Sequence, residues 1–161
     1  MNFIYIGKIV NTHGIKGEVR ILSNFKYKDD VFIKNANLYV GKNKEKLIIN
    51  SYRKHKNFDQ VTFVGVEDIN EVLMYKGESV YINREEVKID GILNEDLIGI
   101  AVFGNNKLIG SVTDIVNNGV YDILVIDNKN LVPYVDEFIK NIDINNKRID
   151  ISLIEGLINE N

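Results

Sequence analysis

Short apolar stretches recur along this chain, each cut after a few residues by Gly, Asn or Asp. In Glu18-Val19-Arg20-Ile21 the apolar side chains fall on one face and the charged pair on the other, which is the period of a strand. One convincing helical pattern interrupts this, residues 69–76. Asp68 is placed to cap it, Glu71 follows three residues on as in a capping box, and Gly77 stops it. Several short strands at near-regular spacing predict small barrels. The fold class read from the pattern is therefore all-β, mainly strand with one or two short helices.

The strands are expected at 3–10, 18–22, 38–40, 46–52, 60–66 and 80–82. A loop spans 12–17, a lysine-rich turn spans 41–45, and Asn57-Phe58-Asp59 is read as a hairpin turn. Residues 83–95 are polar and charged. Beyond them, strands are expected at 97–103, 108–117, 120–126, 131–134, 139–144 and 148–153, with one helical turn at 136–140. Asn118-Gly119 is the strongest hairpin signal in the chain. The nearly continuous apolar run 120–126 predicts a strand covered on both faces. Pro133 places its strand at an edge, a strand start or a bulge, because proline lacks an amide donor. The domain reading is 1–84, a linker at 85–95, and 96–161, each half marginal for a single core.

Composition narrows the chemistry. The chain has 161 residues and no cysteine, which excludes disulfides, thiolate metal sites and cysteine nucleophiles. The first residues lack a basic segment followed by an apolar core, and no apolar run approaches the ~20 residues that span a bilayer. A cytoplasmic protein with no membrane partner is expected. The net charge of −3 hides an asymmetry. Residues 1–88 carry 15 Lys and Arg against 11 Asp and Glu, a net +4; residues 89–161 carry 5 against 12, a net −7. Opposite halves of this kind suit an anionic partner for the first and a cationic one for the second.

The richest segment is Gly7-Lys8-Ile9-Val10-Asn11-Thr12-His13-Gly14-Ile15-Lys16-Gly17-Glu18-Val19-Arg20-Ile21. His13 with Thr12, Lys16 and Glu18 could form an acid–base cluster, but a loop hydrogen bond or an RNA contact is the plainer reading. Gly14 and Gly17 lack the lysine and hydroxyl ending of a phosphate-binding loop, and a strand follows them rather than a helix. Their expected work is backbone geometry at positive φ. No metal-ligand spacing or nucleophile signature is present, so no cofactor, metal or catalytic residue is expected. Arg53-Lys54-His55-Lys56, flanked by Tyr52 and Phe58, is the densest positive cluster and could neutralise phosphates.

The segment 7–21 resembles the N-terminal signature of the ribosome maturation factor RimM family. Asp96-Leu97-Ile98-Gly99, Leu108-Ile109-Gly110-Ser111-Val112, Asp122-Ile123-Leu124-Val125-Ile126, Leu131-Val132-Pro133-Tyr134-Val135 and Glu155-Gly156-Leu157 follow the order of that family's PRC-barrel domain. The resemblance implies an N-terminal six-stranded translation-type β-barrel and a C-terminal PRC barrel. It also implies a non-enzymatic factor that binds the immature small (30S) ribosomal subunit and assists 16S rRNA processing and maturation of the head; the chain is expected to be a monomer. Its implied partners are the small-subunit precursor, 16S rRNA and small-subunit head protein nineteen.

On this reading the RNA- or ribosome-binding residues are Thr12, His13, Gly14, Lys16, Gly17, Glu18, Arg20, Arg53, Lys54 and Lys56. The residues expected to dock the ribosomal protein are Ile92, Leu93, Asn118, Gly119 and Tyr121. Where the family commonly has Tyr-Tyr-Trp this chain reads Ile92-Leu93-Asn94, so an aliphatic patch is expected there instead of an aromatic anchor. A general RNA-binding translation module without a maturation role, and an enzyme using His13, are the competing readings.

Overall fold

A computed structural model describes residues 1–153 of the chain. The backbone is mostly strand and divides into two compact units between Asp90 and Gly91. In unit 1 six strands close into a barrel: β1 (Phe3–His13), β2 (Glu18–Leu22), β3 (Asn37–Val40), β4 (Glu45–His55), β5 (Phe58–Phe63) and β6 (Ser79–Asn83). Their order around the ring is β1-β2-β5-β4-β3-β6. Every pairing is antiparallel.

The ring closes on β1, which pairs with β6 through Phe3–Lys8 and with β2 through Lys8–His13. Its interior positions run Ile4, Ile6 and then Ile9, so the two-residue alternation slips by one at Gly7. The register with β6 shifts at the same place. A Cβ on Gly7 would lie 2.6 Å from the Leu22 carbonyl oxygen, so the two backbones meet where a side chain has no room. Val19, Ile21, Leu38, Ile49, Val61, Phe63, Val80 and Ile82 also line the interior, all 1% exposed or less.

One end of the barrel holds a buried carboxylate. Asp59 on β5 is 0% exposed; Tyr52 Oη donates to its Oδ1 at 2.7 Å. Lys28 Nζ lies 2.8 Å from Oδ2, an ion pair without the alignment of a hydrogen bond. Lys28 opens the short helix α1 (Lys28–Val31), which the sequence pattern does not mark. Phe32, just after it, stacks on Tyr52 with ring planes 8° apart. Burial first, and then the hydrogen bond to Asp59, push the Tyr52 hydroxyl well above its usual range.

Unit 2 is a six-stranded sheet. Its strands are β7 (Ala101–Gly104), β8 (Lys107–Asn117), β9 (Asp122–Ile126), β10 (Asn130–Pro133), β11 (Ile139–Asp143) and β12 (Arg148–Ile151), in the order β10-β9-β8-β7-β12-β11. β7 to β10 form a meander. The β11–β12 hairpin joins it by a parallel β12–β7 pairing, Ile149 opposite Val102. Leu97, Ile100, Val102, Val112, Leu124, Ile126, Val132, Ile149 and Ile151 form one buried cluster. Pro133 sits at the end of β10, an end strand of the sheet, where its missing N–H costs no ladder bond. Glu155-Gly156-Leu157 lies outside the described residues.

Several local expectations are corrected. Residues 69–76 are not one α-helix but two 3₁₀ turns, Ile69–Glu71 and Leu73–Tyr75. The capping box does form: Asp68 Oδ1 accepts from the Asn70 amide, and Glu71 Oε2 accepts from the Glu67 and Asp68 amides. The segment is too short for α-type propagation, and its two buried side chains, Val72 and Tyr75, stand three residues apart, the period of a 3₁₀ turn. The strand expected from Leu97 begins instead at Ala101. Asp96 Oδ2 accepts from the Leu93 amide and opens a helical turn, α2 (Asn94–Leu97), and Gly99 at φ 87° turns the chain out of it. The hairpin turn after β4 is Lys56-Asn57, because Phe58 and Asp59 already pair within β5. Val120 is 84% exposed in the turn before β9 rather than covered on both faces. Residues 136–138 form a turn, and β11 begins at Ile139.

Gly7→Ala is expected to lower stability by more than about 2 kcal/mol, because the clash is with backbone that cannot rotate away. Urea denaturation measures it; parent-like stability would show that barrel closure does not depend on this approach.

Candidate functional site

The outer face of the unit 1 barrel carries a chain of polar contacts across four adjacent strands. Strand register opposes His13 to Glu18, Arg20 to Gln60 and Gln60 to Arg53. The Arg53 guanidinium grips Glu18 with both prongs, Nε to Oε2 at 3.1 Å and Nη2 to Oε1 at 2.8 Å. Gln60 Nε2 donates to the same Glu18 Oε1 at 2.8 Å, and Gln60 Oε1 accepts from Arg20 Nε at 2.8 Å. Arg20 Nη2 donates to His13 Nδ1 at 2.9 Å. The Arg20 guanidinium also lies over the Phe58 ring, 5.5 Å from its centroid.

This arrangement fixes charge. Bidentate pairing and stacking hold both guanidiniums in defined places. The hydrogen bonds from Arg53 keep the Glu18 carboxyl below its ordinary value of 4.5, against an opposing effect of burial. A guanidinium only donates, so His13 Nδ1 is the acceptor and the ring proton of the neutral form sits on Nε2. The nitrogen nearest the cluster is thus already engaged, which disfavours it as a general base.

The expected residues are only partly gathered. His13, Glu18, Arg20 and Arg53 join in one network. Thr12 lies in β1 opposite Val19, half-buried. Gly14 and Gly17 take φ of 72° and 84° in the intervening turn, and Lys16 is exposed between them. A Cβ on Gly17 would meet Val66 Cγ1 at 2.8 Å and the Asp68 carbonyl oxygen at 2.9 Å, whereas one on Gly14 would meet nothing within 4 Å. The Arg53–Lys56 cluster is split. Arg53 is on the outer face, Lys54 alternates to the side of Tyr52, and Lys56 sits in the turn at φ 55°. Gln60, fully buried and bonded to both Glu18 and Arg20, is the network residue that sequence reading missed. Its signal was two adjacent polar residues, Asp59-Gln60, between the apolar Phe58 and Val61: alternation sends them to opposite faces, and each needs a partner where it is buried.

In unit 2 the hairpin tip is built by side chains. Asn118 Oδ1 accepts from the Val120 and Tyr121 amides, and Asn117 Oδ1 from the Gly119 amide. The Asp122 carboxylate accepts from Asn117 Nδ2 and from Asn94 Nδ2, which ties the start of α2 to the hairpin base. Asn118, Gly119 and Tyr121 are exposed there. The expected aliphatic patch does not form: Leu93 is 4% exposed, and Ile92 packs against the unit 2 core.

Two compact β units, the first a closed barrel with ordered cations on its outer face, define a two-module all-β protein. The RimM N-terminal domain family matches residues 4–87, and the RimM PRC barrel domain family matches residues 94–157. The ribosome maturation factor RimM of Staphylococcus haemolyticus is 41% identical over 164 aligned positions, covering 96% of this chain and 98% of that one. The ribosome maturation factor RimM of Streptococcus suis is 39% identical over 172 positions, covering all of both. The solution structure of the N-terminal domain of RimM from Thermus thermophilus is 17% identical, covers 55% of this chain and 98% of that one, and superposes with a TM-score of 0.47. The chain belongs to the RimM family.

Two measurements check the site. A carboxyl held below its unfolded value contributes stability that is present above pH 4.5 and lost as pH falls through the folded value. Glu18→Gln is therefore expected to be less stable than the parent at pH 7, with the difference shrinking below pH 4 in urea titrations; a pH-independent difference would deny the carboxylate this role. Gly17→Ala is expected to lose clearly more stability than Gly14→Ala, which carries only the left-handed backbone cost of ~1 kcal/mol. Equal losses in thermal melts would contradict the crowding at Gly17.

Proposed function

We propose that this protein is a non-enzymatic ribosome maturation factor that binds the immature small (30S) subunit and assists 16S rRNA processing and folding of the head. The observation that carries the reading is the match over the whole chain, at about 40% identity, to proteins named ribosome maturation factor RimM. The geometry of unit 1 supports it. Ordered guanidiniums at Arg20 and Arg53, with Lys16 and Lys56 exposed on nearby turns, suit a phosphate backbone. On this proposal residues 1–84 meet rRNA and residues 96–161, joined by 85–95, meet a basic protein of the head, small-subunit protein nineteen. The acidic balance of the second half favours that pairing. The docking residues are Asn118, Gly119 and Tyr121 at the hairpin tip, with Ile92 and Leu93 supporting the segment behind it.

Such a factor needs no covalent chemistry. It shifts an assembly intermediate toward the productive state by binding that state more tightly. The protein works as a cytoplasmic monomer on this reading.

Depletion in cells with precursor small-subunit rRNA measured is the test. Precursor is expected to accumulate, and cosedimentation is expected to find the protein on free small subunits and their precursors. Unchanged rRNA processing, or equal binding to unrelated RNAs, would favour a general RNA-binding module instead. Charge reversal at Lys16, Lys54 and Lys56 together is expected to weaken subunit association at least tenfold at low salt and to flatten its salt dependence by roughly two to three powers of salt concentration. An unchanged slope would return these lysines to simple solvation.

A further inference from the structure

Three tyrosines form a row on the outer face of the unit 1 barrel, across β1, β6 and β3. Tyr81 is the register partner of both Tyr5 and Tyr39. Their strand neighbours Ile4, Ile6, Val80, Ile82, Leu38 and Val40 are buried inside, so the tyrosines face outward. Phe3, two positions before Tyr5, extends the row, its ring centroid 4.9 Å from that of Tyr39. Tyr5 meets Tyr81 edge-on, centroids 5.9 Å apart and planes at 75°.

The row is closed at one end and open at the other. Tyr39 is 5% exposed, and its hydroxyl donates to Glu86 Oε1 at 2.6 Å. Glu86 is the acidic group at this end, and its other oxygen accepts from Asn37 Nδ2 at 3.0 Å. Tyr5, in contrast, is 54% exposed. Cations border the row: Lys44 Nζ is 4.1 Å from the Tyr81 ring centroid and 6.0 Å from that of Phe3, and the exposed Lys46 is the register partner of Tyr39.

Aromatic cross-strand pairs alone would stabilise the sheet. That role requires neither an open ring nor ammonium groups beside it. An exposed ring, Tyr5, whose cross-strand neighbour Tyr81 carries the Lys44 ammonium over its face, has the chemistry to take a nucleobase on its face and a phosphate at its edge. Bases stacked within a duplex offer no free face for such a ring. We propose that this face, centred on Tyr5, is a stacking site for an unpaired base of single-stranded RNA, with Lys44 meeting a flanking phosphate. This rests on the reading that unit 1 meets rRNA, and it adds the form of RNA recognised. The site lies around the barrel from the Arg53–Glu18–Gln60–Arg20 network on β4, β2 and β5.

The chain contains no tryptophan, so full-length protein with Tyr5→Trp carries a single reporter at the site. A short mixed-sequence RNA is added either single-stranded or annealed to its complement. Indole emission is expected to be quenched by the single strand and not by the duplex. Tyr5→Ala is expected to weaken single-strand binding about tenfold, and Tyr5→Phe to preserve it. Lys44→Gln is expected to reduce the salt slope by roughly 0.7. Equal quenching by duplex, parent-like affinity in Tyr5→Ala with an unchanged melting curve, or quenching by a basic ribosomal protein but not by RNA would each overturn the proposal. If Tyr5→Ala binds single strands as the parent does while the Lys16, Lys54 and Lys56 reversal does not, the stacking site falls and the rRNA reading stands. If the parent binds no RNA in either form, both fall.

Discussion

The first strand has two partners, and the unit 1 barrel depends on its serving both. β1 pairs with β6 along its first half and with β2 along its second, and the two pairings overlap at Lys8, next to Gly7. The Leu22 carbonyl approaches so closely there that no Cβ fits. Closing the ring removes both free edges of the sheet and places Ile4, Ile6 and Ile9 against the side chains of the other strands. The Ser23 hydroxyl, donating to the Ile6 carbonyl, satisfies an acceptor beside the same crossing. The candidate RNA surfaces are consequences of this closure, because both are faces of strands that β1 brings into one ring.

Two polar residues in sequence, Asp59 and Gln60, show how the barrel treats its two sides. Both are 0% exposed, yet alternation sends them in opposite directions. Asp59 turns to the barrel end and is met by Tyr52 and Lys28. Gln60 turns outward and is covered by the side chains it joins, Glu18 and Arg20. A buried amide is tolerated when donor and acceptor are both used, and here they are. One strand thus helps to close the barrel end and to set the spacing of two guanidiniums outside.

The second unit solves a different problem. Its sheet is assembled from a meander and a hairpin that returns in parallel, and its core is almost entirely aliphatic. What it offers outside is a hairpin tip stiffened by asparagine side chains, with Tyr121 and Val120 exposed. A preorganised tip loses little conformational entropy when a partner covers it.

Strand periodicity, turn residues and the absence of long helical patterns determined the all-β class from sequence, because those features depend on near neighbours in the chain. The positive φ of Gly14 and Gly17 and the peripheral place of Pro133 were legible for the same reason. Residues 69–76 carried correct cap signals but an incorrect helix type, since the depth of Val72 and Tyr75 in the packing, not the cap, selects the 3₁₀ turn. Leu93 read as a surface aliphatic because nothing local marks it as buried. The Glu18–Arg53 and Gln60–Arg20 contacts, 35 and 40 residues apart, and the Tyr5–Tyr81–Tyr39 row could not be read at all. Sequence by itself determined which residues alternate and where the chain turns. Only the tertiary structure decided which side chains share a face, because strand order and register are set by packing across the whole ring.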